Sequence, residues 1–109
     1  MRRCLISVLA ALLLISGCAR GFHYRVTDGR VTFYLDLLDA QQVYFAYSLD
    51  GFRLHEANKQ RAGTWTIAVP ADIEFRYFFL VDGAPYLPGC DIREADDFGS
   101  ENCIFEPAR

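Results

Sequence analysis

The longest alternation of hydrophobic and polar positions lies between residues 73 and 83. Side chains of a β-strand point alternately to its two faces, and one face of this stretch carries large apolar residues: Ile73, Phe75, Tyr77, Phe79 and Val81. The stretch ends in Asp82-Gly83, a dipeptide typical of tight hairpin turns. The pattern predicts a central strand over 73–81, and burial of its apolar face would contribute about 1.5–3 kcal/mol per large side chain.

Shorter alternations, separated by turn signals such as Asp28-Gly29 and Asp50-Gly51, predict further strands. These strands cover residues 23–27, 31–37, 43–49, 53–56, 64–69, 84–87 and 102–106. Trp65 shares its predicted face with Ile67 and Val69, so we expect it in the core. Residues 91–101 are rich in acids and predict a solvated loop. Many short strands with turns between them indicate an all-β sandwich.

The first residues carry the pattern of a bacterial lipoprotein signal. Met1-Arg2-Arg3 is basic, Leu5 to Ile15 is almost entirely apolar, and Ile-Ser-Gly-Cys follows at 15–18. The apolar run is too short for a permanent membrane span. The ending resembles a lipobox and predicts lipidation of Cys18 after removal of residues 1–17, with an ordinary signal peptide cut nearby as the alternative. Residues 18–22 would then form a tether, and residues 23–109 the domain.

Ala19 is not the aspartate that enteric bacteria use for inner-membrane retention, so the resemblance favours a lipid-anchored protein of the outer membrane that faces the periplasm. Loss of Arg2 and Arg3 from the 11 basic residues leaves 9 against 14 acids, a net charge of −5. This balance argues against nucleic acid as a partner. The membrane would be reached through the anchor at Cys18.

Two of the four cysteines remain for folding. Cys4 lies in the signal and Cys18 is the predicted lipid attachment point, which leaves Cys90 and Cys103. In an oxidising compartment such a pair predicts a disulfide, worth about 3 kcal/mol for a loop of this length in the chain-entropy model. A metal site is the weaker alternative, since two cysteines without a nearby histidine lack the ligands that zinc needs.

Four short motifs follow one another along the chain. Residues 43–52 read V-Y-F-A-Y-S-L-D-G-F, residues 63–65 read G-T-W, residues 77–83 read Y-F-F-L-V-D-G, and residues 97–102 read D-F-G-S-E-N. Together they resemble the family-48 carbohydrate-binding modules and the related early-set domains of isoamylase-type enzymes. The resemblance covers about residues 30–106 and implies an immunoglobulin-like, early-set β-sandwich.

The resemblance also implies where a glycan would bind. Members of the family stack glucose rings on two tryptophans; Phe52 stands at the first position, and Ala84-Pro85, followed by Tyr86, stands at the second. Phe78 replaces a sugar-binding lysine. Contacts from the late loop would fall on Phe98 and Ser100, with Asn102 nearby. The candidate glycan-binding residues are therefore Phe52, Phe78, Tyr86, Phe98, Ser100 and Asn102.

The alternative function is a protein-interaction or structural module of the cell envelope without sugar binding. Exposed apolar side chains on the predicted outer faces would favour it: Tyr34, Tyr44, Phe78 and Leu80. Catalysis is not expected, because the chain has neither a nucleophile-elbow serine pattern nor a glycine-rich phosphate loop. The acids of 91–101 do not follow calcium-loop spacing, and His23 and His55 lack a matched ligand set, so neither a metal nor another cofactor is predicted.

Overall fold

The computed structural model describes residues 21–107, which form ten β-strands and two short 3-10 turns. The strands are β1 (Phe22–Thr27), β2 (Arg30–Asp36), β3 (Val43–Tyr47), β4 (His55–Glu56), β5 (Asn58–Lys59), β6 (Thr64–Pro70), β7 (Phe75–Val81), β8 (Ala84–Tyr86), β9 (Arg93–Ala95) and β10 (Glu101–Phe105). The 3-10 turns are Ser48–Asp50 and Arg61–Gly63.

The strands form two antiparallel sheets that pack together as a sandwich, which confirms the all-β prediction. The first sheet has the order β1-β2-β6-β5, and the second has the order β4-β3-β7-β10-β9, with β8 added to β7. In β2, β6 and β7 the buried positions alternate with more exposed ones. The alternation in the sequence therefore corresponds to the two faces of each sheet.

An aromatic cluster joins the two sheets. Phe33 of β2 is fully buried, and its ring centre lies 4.7 Å from that of Tyr77 and 5.3 Å from that of Phe45, both in the opposite sheet. Phe75 and Phe105 meet Phe33 edge to face. Aromatic pairs in such geometries contribute about 0.5–1.5 kcal/mol each beyond the area that they bury. Trp65 is 5% exposed and belongs to the same core, as expected.

The central strand begins later than the alternation predicts. β7 starts at Phe75, and Ile73 is 54% exposed instead of facing the core. The connection from β6 is fixed by a hydrogen bond of 2.9 Å from Ala71 N–H to Gly29 O. The chain is still turning between the two sheets at Ile73, so the alternation of strand faces does not yet apply there.

Other strand boundaries also differ from the prediction. β3 ends at Tyr47, because the turn Ser48–Asp50 takes the chain away from the sheet and leaves Leu49 exposed. The acidic stretch 91–101 is not all loop, since it contains β9, which pairs with β10. The two-residue strand β5 lies in a polar stretch that gives no strand signal. These short edge strands form because a neighbouring strand supplies hydrogen bonds, not because of their own residues.

A disulfide joins Cys90 to Cys103, with the two Cα atoms 6.0 Å apart. Cys103 lies in β10 and is fully buried, and Cys90 follows β8 on the chain. The predicted pairing is confirmed. The bond ties the segment after β8 to the strand that continues the sheet beyond β7.

The predicted signal 1–17, the lipidation residue Cys18 and the first part of the tether 18–22 lie outside the described residues. β1 begins at Phe22, one residue earlier than the predicted strand. Within residues 21–107 no helix is long and apolar enough to cross a membrane.

We expect loss of the disulfide to lower the free energy of unfolding by about 3 kcal/mol, because the open chain regains the entropy of a 13-residue loop. Urea unfolding of the oxidised protein, compared with the Cys90→Ala/Cys103→Ala double variant, measures this change. An unchanged unfolding midpoint for the double variant would contradict the structural role.

Candidate functional site

An open groove of about 630 Å³ lies on the outer side of the second sheet. Its lining includes Phe78, Pro85, Tyr86, Ser100, Glu101 and Asn102. The walls come from β8 on one side and from the β9–β10 hairpin on the other. Apolar rings and polar groups thus converge in one concave surface, which is the usual composition of a ligand site.

The groove exists because β7 changes its partner along one edge. β10 pairs with β7 up to Tyr77, and β8 pairs with it from Phe79 onward. Phe78 lies between the two pairings, at the point where β8 and β10 diverge. On the other edge Phe78 pairs with Ala46 of β3. Ala46 is fully buried but lies outside the core cluster, as expected for a methyl group covered by rings on the outer face.

Phe52 lies over Phe78. The ring centres are 5.8 Å apart with an angle of 23° between the planes, a stacked arrangement. Phe52 has a φ of +63°, in the left-handed region, directly after Gly51 at +76°. A side chain other than glycine costs about 1–2 kcal/mol in this conformation, and such strain tends to occur at functional positions.

Hydrogen bonds hold the turn that carries Phe52. Phe52 N–H donates to Tyr47 O at 2.9 Å, and Asp50 Oδ1 accepts from Arg53 N–H at 3.1 Å. Asp50 Oδ2 contacts His55 Nε2. Desolvation acts to raise the pKa of Asp50, but the hydrogen bonds from His55 and Arg53 outweigh it, so this pKa lies below its ordinary value of 3.8. The carboxylate therefore remains charged and holds the turn.

The turn between β9 and β10 forms one rim of the groove. Asp96 Oδ1 accepts hydrogen bonds from Phe98 N–H at 2.8 Å and from Ser100 N–H at 2.9 Å. Gly99 has a φ of +86°, which favours glycine. Asp96 thus fixes the backbone beside the groove and brings Ser100 to its edge.

Four of the six candidate residues line this groove. Phe78, Tyr86, Ser100 and Asn102 line it, and Phe52 covers Phe78. Phe98 is 92% exposed and does not line it, because the turn at Asp96 directs its side chain elsewhere. Tyr86 pairs with the core-facing Phe79 and packs against the core, so it borders the groove from β8 with its ring toward the inner face.

Sequence reasoning missed two parts of the site. Pro85, a departure from the family pattern, forms part of the β8 wall, and Glu101 of β10 also lines the groove, with its carboxylate 3.7 Å from the Arg93 guanidinium. The role of Asp96 could have been recognised from the sequence D-D-F-G-S at 96–100, which is typical of a turn capped by a side chain. The high number of acids in 91–101 led instead to the prediction of a solvated loop.

A second groove, of about 420 Å³, lies between β1 and the segment 89–92. Its lining includes Phe22, Tyr24, Tyr77, Cys90 and Glu106. Burial raises the pKa of the Tyr77 hydroxyl well above its usual range, with further contributions from Tyr24 and Asp91. This tyrosine therefore remains protonated and neutral.

Charged side chains on the outer face form exposed ion pairs. Arg76 Nε donates to Glu94 at 2.8 Å, and its guanidinium also reaches Glu74 at 2.8 Å. The hydrogen bond to Glu94 is the main reason that the pKa of Arg76 is raised. In the part of the chain that the structure describes, no three histidine, cysteine or acidic side chains come together as a metal-ligand set.

Comparisons with protein-family models and with curated proteins find no match to this chain. The arrangement of the groove is therefore the basis on which a function is proposed.

We expect the stack of Phe52 on Phe78 to weaken as the pH falls below about 3.8, because the pKa of Asp50 is lowered on folding. Such a group stabilises the turn above its unfolded pKa, and this stabilisation is lost as the pH falls through the folded pKa. Nuclear Overhauser contacts between the two rings measure the change.

Asp50→Asn should weaken these ring contacts already at neutral pH. Asp72→Asn is a matched control, since Asp72 is exposed in the β6–β7 connection. Contacts that stay unchanged in Asp50→Asn would show that Asp50 does not hold the turn.

Proposed function

We propose that this protein is a noncatalytic, lipid-anchored protein of the cell envelope that binds a glycan in the groove beside Phe78. The domain is proposed to be an immunoglobulin-like, early-set sandwich related to family-48 carbohydrate-binding modules. The observation that carries the proposal is the convergence of Phe78, Tyr86, Ser100 and Asn102 in one groove.

The groove offers the two kinds of contact that a sugar needs. Phe78 and Pro85 supply apolar surface for the C–H face of a pyranose ring. Asn102 and Ser100 supply amide and hydroxyl groups for sugar hydroxyls. Such hydrogen bonds give orientation and specificity, while ring contact and desolvation give affinity.

The strained turn at Phe52 supports the proposal independently. Glycine would occupy this left-handed position without strain, whereas phenylalanine adopts it at a cost in backbone energy. The position is retained here with its ring stacked on Phe78. A ring held against the groove residue Phe78 in spite of strain supports a contact surface for a ligand beside Phe78.

We expect Phe52→Gly to separate binding from folding. The substitution removes about 1–2 kcal/mol of backbone strain and loses a ring contact of about 0.5–1.5 kcal/mol, so these opposing terms should change the free energy of unfolding by no more than about 1.5 kcal/mol. Loss of one stacking ring should weaken glycan binding about threefold to tenfold.

Affinity gel electrophoresis with a panel of glucans and cell-wall glycans measures the binding. Phe98→Gly is the matched control, because it also removes an exposed ring but not the one that stacks on the groove residue Phe78. No retardation by any glycan of the panel would overturn the glycan proposal. A specific crosslinked protein partner in whole cells, lost in Phe78→Asp, would then favour the protein-interaction alternative.

We expect Cys18→Ser to abolish incorporation of labelled palmitate and to release the protein from the membrane fraction, since a multi-chain lipid anchor is held by burial of its acyl chains. Cys4→Ser is the control, because Cys4 lies within the proposed signal and should not be acylated. Unchanged labelling and fractionation of Cys18→Ser would rule out the anchor.

A further inference from the structure

The strands of the sandwich run between two ends, and β1 starts at one of them. Phe22 pairs with Leu35 near the end of β2, and the connection 37–42 leads from there to β3. Val43, the first residue of β3, pairs with Val81, the last residue of β7. We call this the proximal end, because β1 begins there and Cys18 precedes β1 in the sequence.

Two more connections lie at the proximal end. The turn 82–83 follows β7, and Asp82 Oδ1 accepts from Gln41 and Gln42 N–H at 2.8 Å, which ties it to the connection 37–42. β10 runs antiparallel to β7, so the turn 96–100 before it also lies at this end. The opposite, distal end contains the turns 28–29 and 48–53 and the connection 71–74.

The two most exposed large apolar side chains of residues 21–107 are both at the proximal end. Phe98 of the turn 96–100 is 92% exposed, and Leu38 of the connection 37–42 is 78% exposed. The exposed apolar residues of the distal end are more sheltered, with 54% for Ile73 and 52% for Leu54.

The backbone beneath both side chains is fixed. Leu37 N–H donates to Gly63 O at 2.9 Å, and a Cβ at Gly63 would lie 2.7 Å from Leu38 Cα, so the chain passes close to this glycine. Phe98 N–H donates to Asp96 at 2.8 Å. Leu38 and Phe98 are therefore held in exposed positions by ordered turns.

The distance to the proposed lipid makes this arrangement specific. Only Ala19, Arg20 and Gly21 separate Cys18 from Phe22, and a fully extended chain of that length spans at most about 14 Å. An acylated Cys18 would thus keep the proximal end within reach of the lipid headgroups, with the distal end pointing away.

We propose that Leu38 and Phe98 insert into the membrane surface and orient the domain upright on its anchor. The inference rests on the lipid anchor proposed at Cys18. Leucine and aromatic side chains are the residues that such interfacial contacts use. Asp39 and Asp97 flank the two apolar side chains, and anionic headgroups would repel these carboxylates. The surface that fits is therefore zwitterionic lipid.

The test uses the full chain, produced with its own signal in a bacterium and reconstituted into phosphatidylcholine vesicles with brominated acyl chains. Leu38→Trp and Phe98→Trp place a tryptophan at the proximal end, and Ile73→Trp is the distal control. Trp65 is buried and supplies the same background in every variant, measured in the unsubstituted protein. Bromine quenches only tryptophans that reach the acyl region.

The expected result is a loss of emission, with a blue shift, for Leu38→Trp and Phe98→Trp and no change beyond background for Ile73→Trp. Equal or stronger quenching of Ile73→Trp, no quenching of either proximal variant, or quenching that requires anionic lipid would overturn the proposal. Mass analysis of the same samples separates the two hypotheses: protein without acyl chains refutes the anchor and the inference together, whereas acylated protein with distal quenching refutes the orientation alone.

Discussion

The contact between Phe33 and the aromatic rings of the opposite sheet is the interaction on which the rest of this structure depends. Phe33 meets Phe45 and Tyr77 across the sandwich, with Phe75 and Phe105 edge to face. A domain of this size has limited apolar area to bury, so large rings that interlock between two sheets supply much of the driving force. The same contacts fix the separation and alignment of the sheets, and with them the faces that remain outside.

The outer side of the second sheet depends on how β7 shares its edge. Because β10 and β8 each pair with only part of that edge, the sheet divides at Phe78 and leaves a groove between its branches. The disulfide from Cys90 to Cys103 links the segment after one branch to the strand of the other. The groove is thus bordered by fixed backbone. This limits the conformational entropy that the protein would lose at the site when a ligand binds.

Phe52 and Phe98 differ in how their turns direct the aromatic ring. Phe52 is turned back onto Phe78 at the cost of backbone strain, whereas Phe98 extends away from the groove on a turn capped by Asp96. The resemblance to carbohydrate-binding modules grouped both rings as glycan contacts. We propose different partners for them, a ligand beside Phe78 for Phe52 and the lipid surface for Phe98. Ring type alone could not separate them, because the separation depends on backbone direction at each turn.

The alternation of apolar and polar residues was enough to predict the strands β2, β6 and β7, the burial of Trp65 and the two-sheet class, because strand faces follow a local period of two. The isolated cysteine pair was enough to predict the disulfide. The predictions that Ile73 and Leu49 lie within strands and that residues 91–101 form only a loop were wrong. Strand ends and edge strands depend on partners that are distant in sequence. The groove at Phe78 has the same origin. Which strand pairs with each half of β7 is a matter of non-local hydrogen bonding, so the tertiary structure alone decided where a binding surface could form.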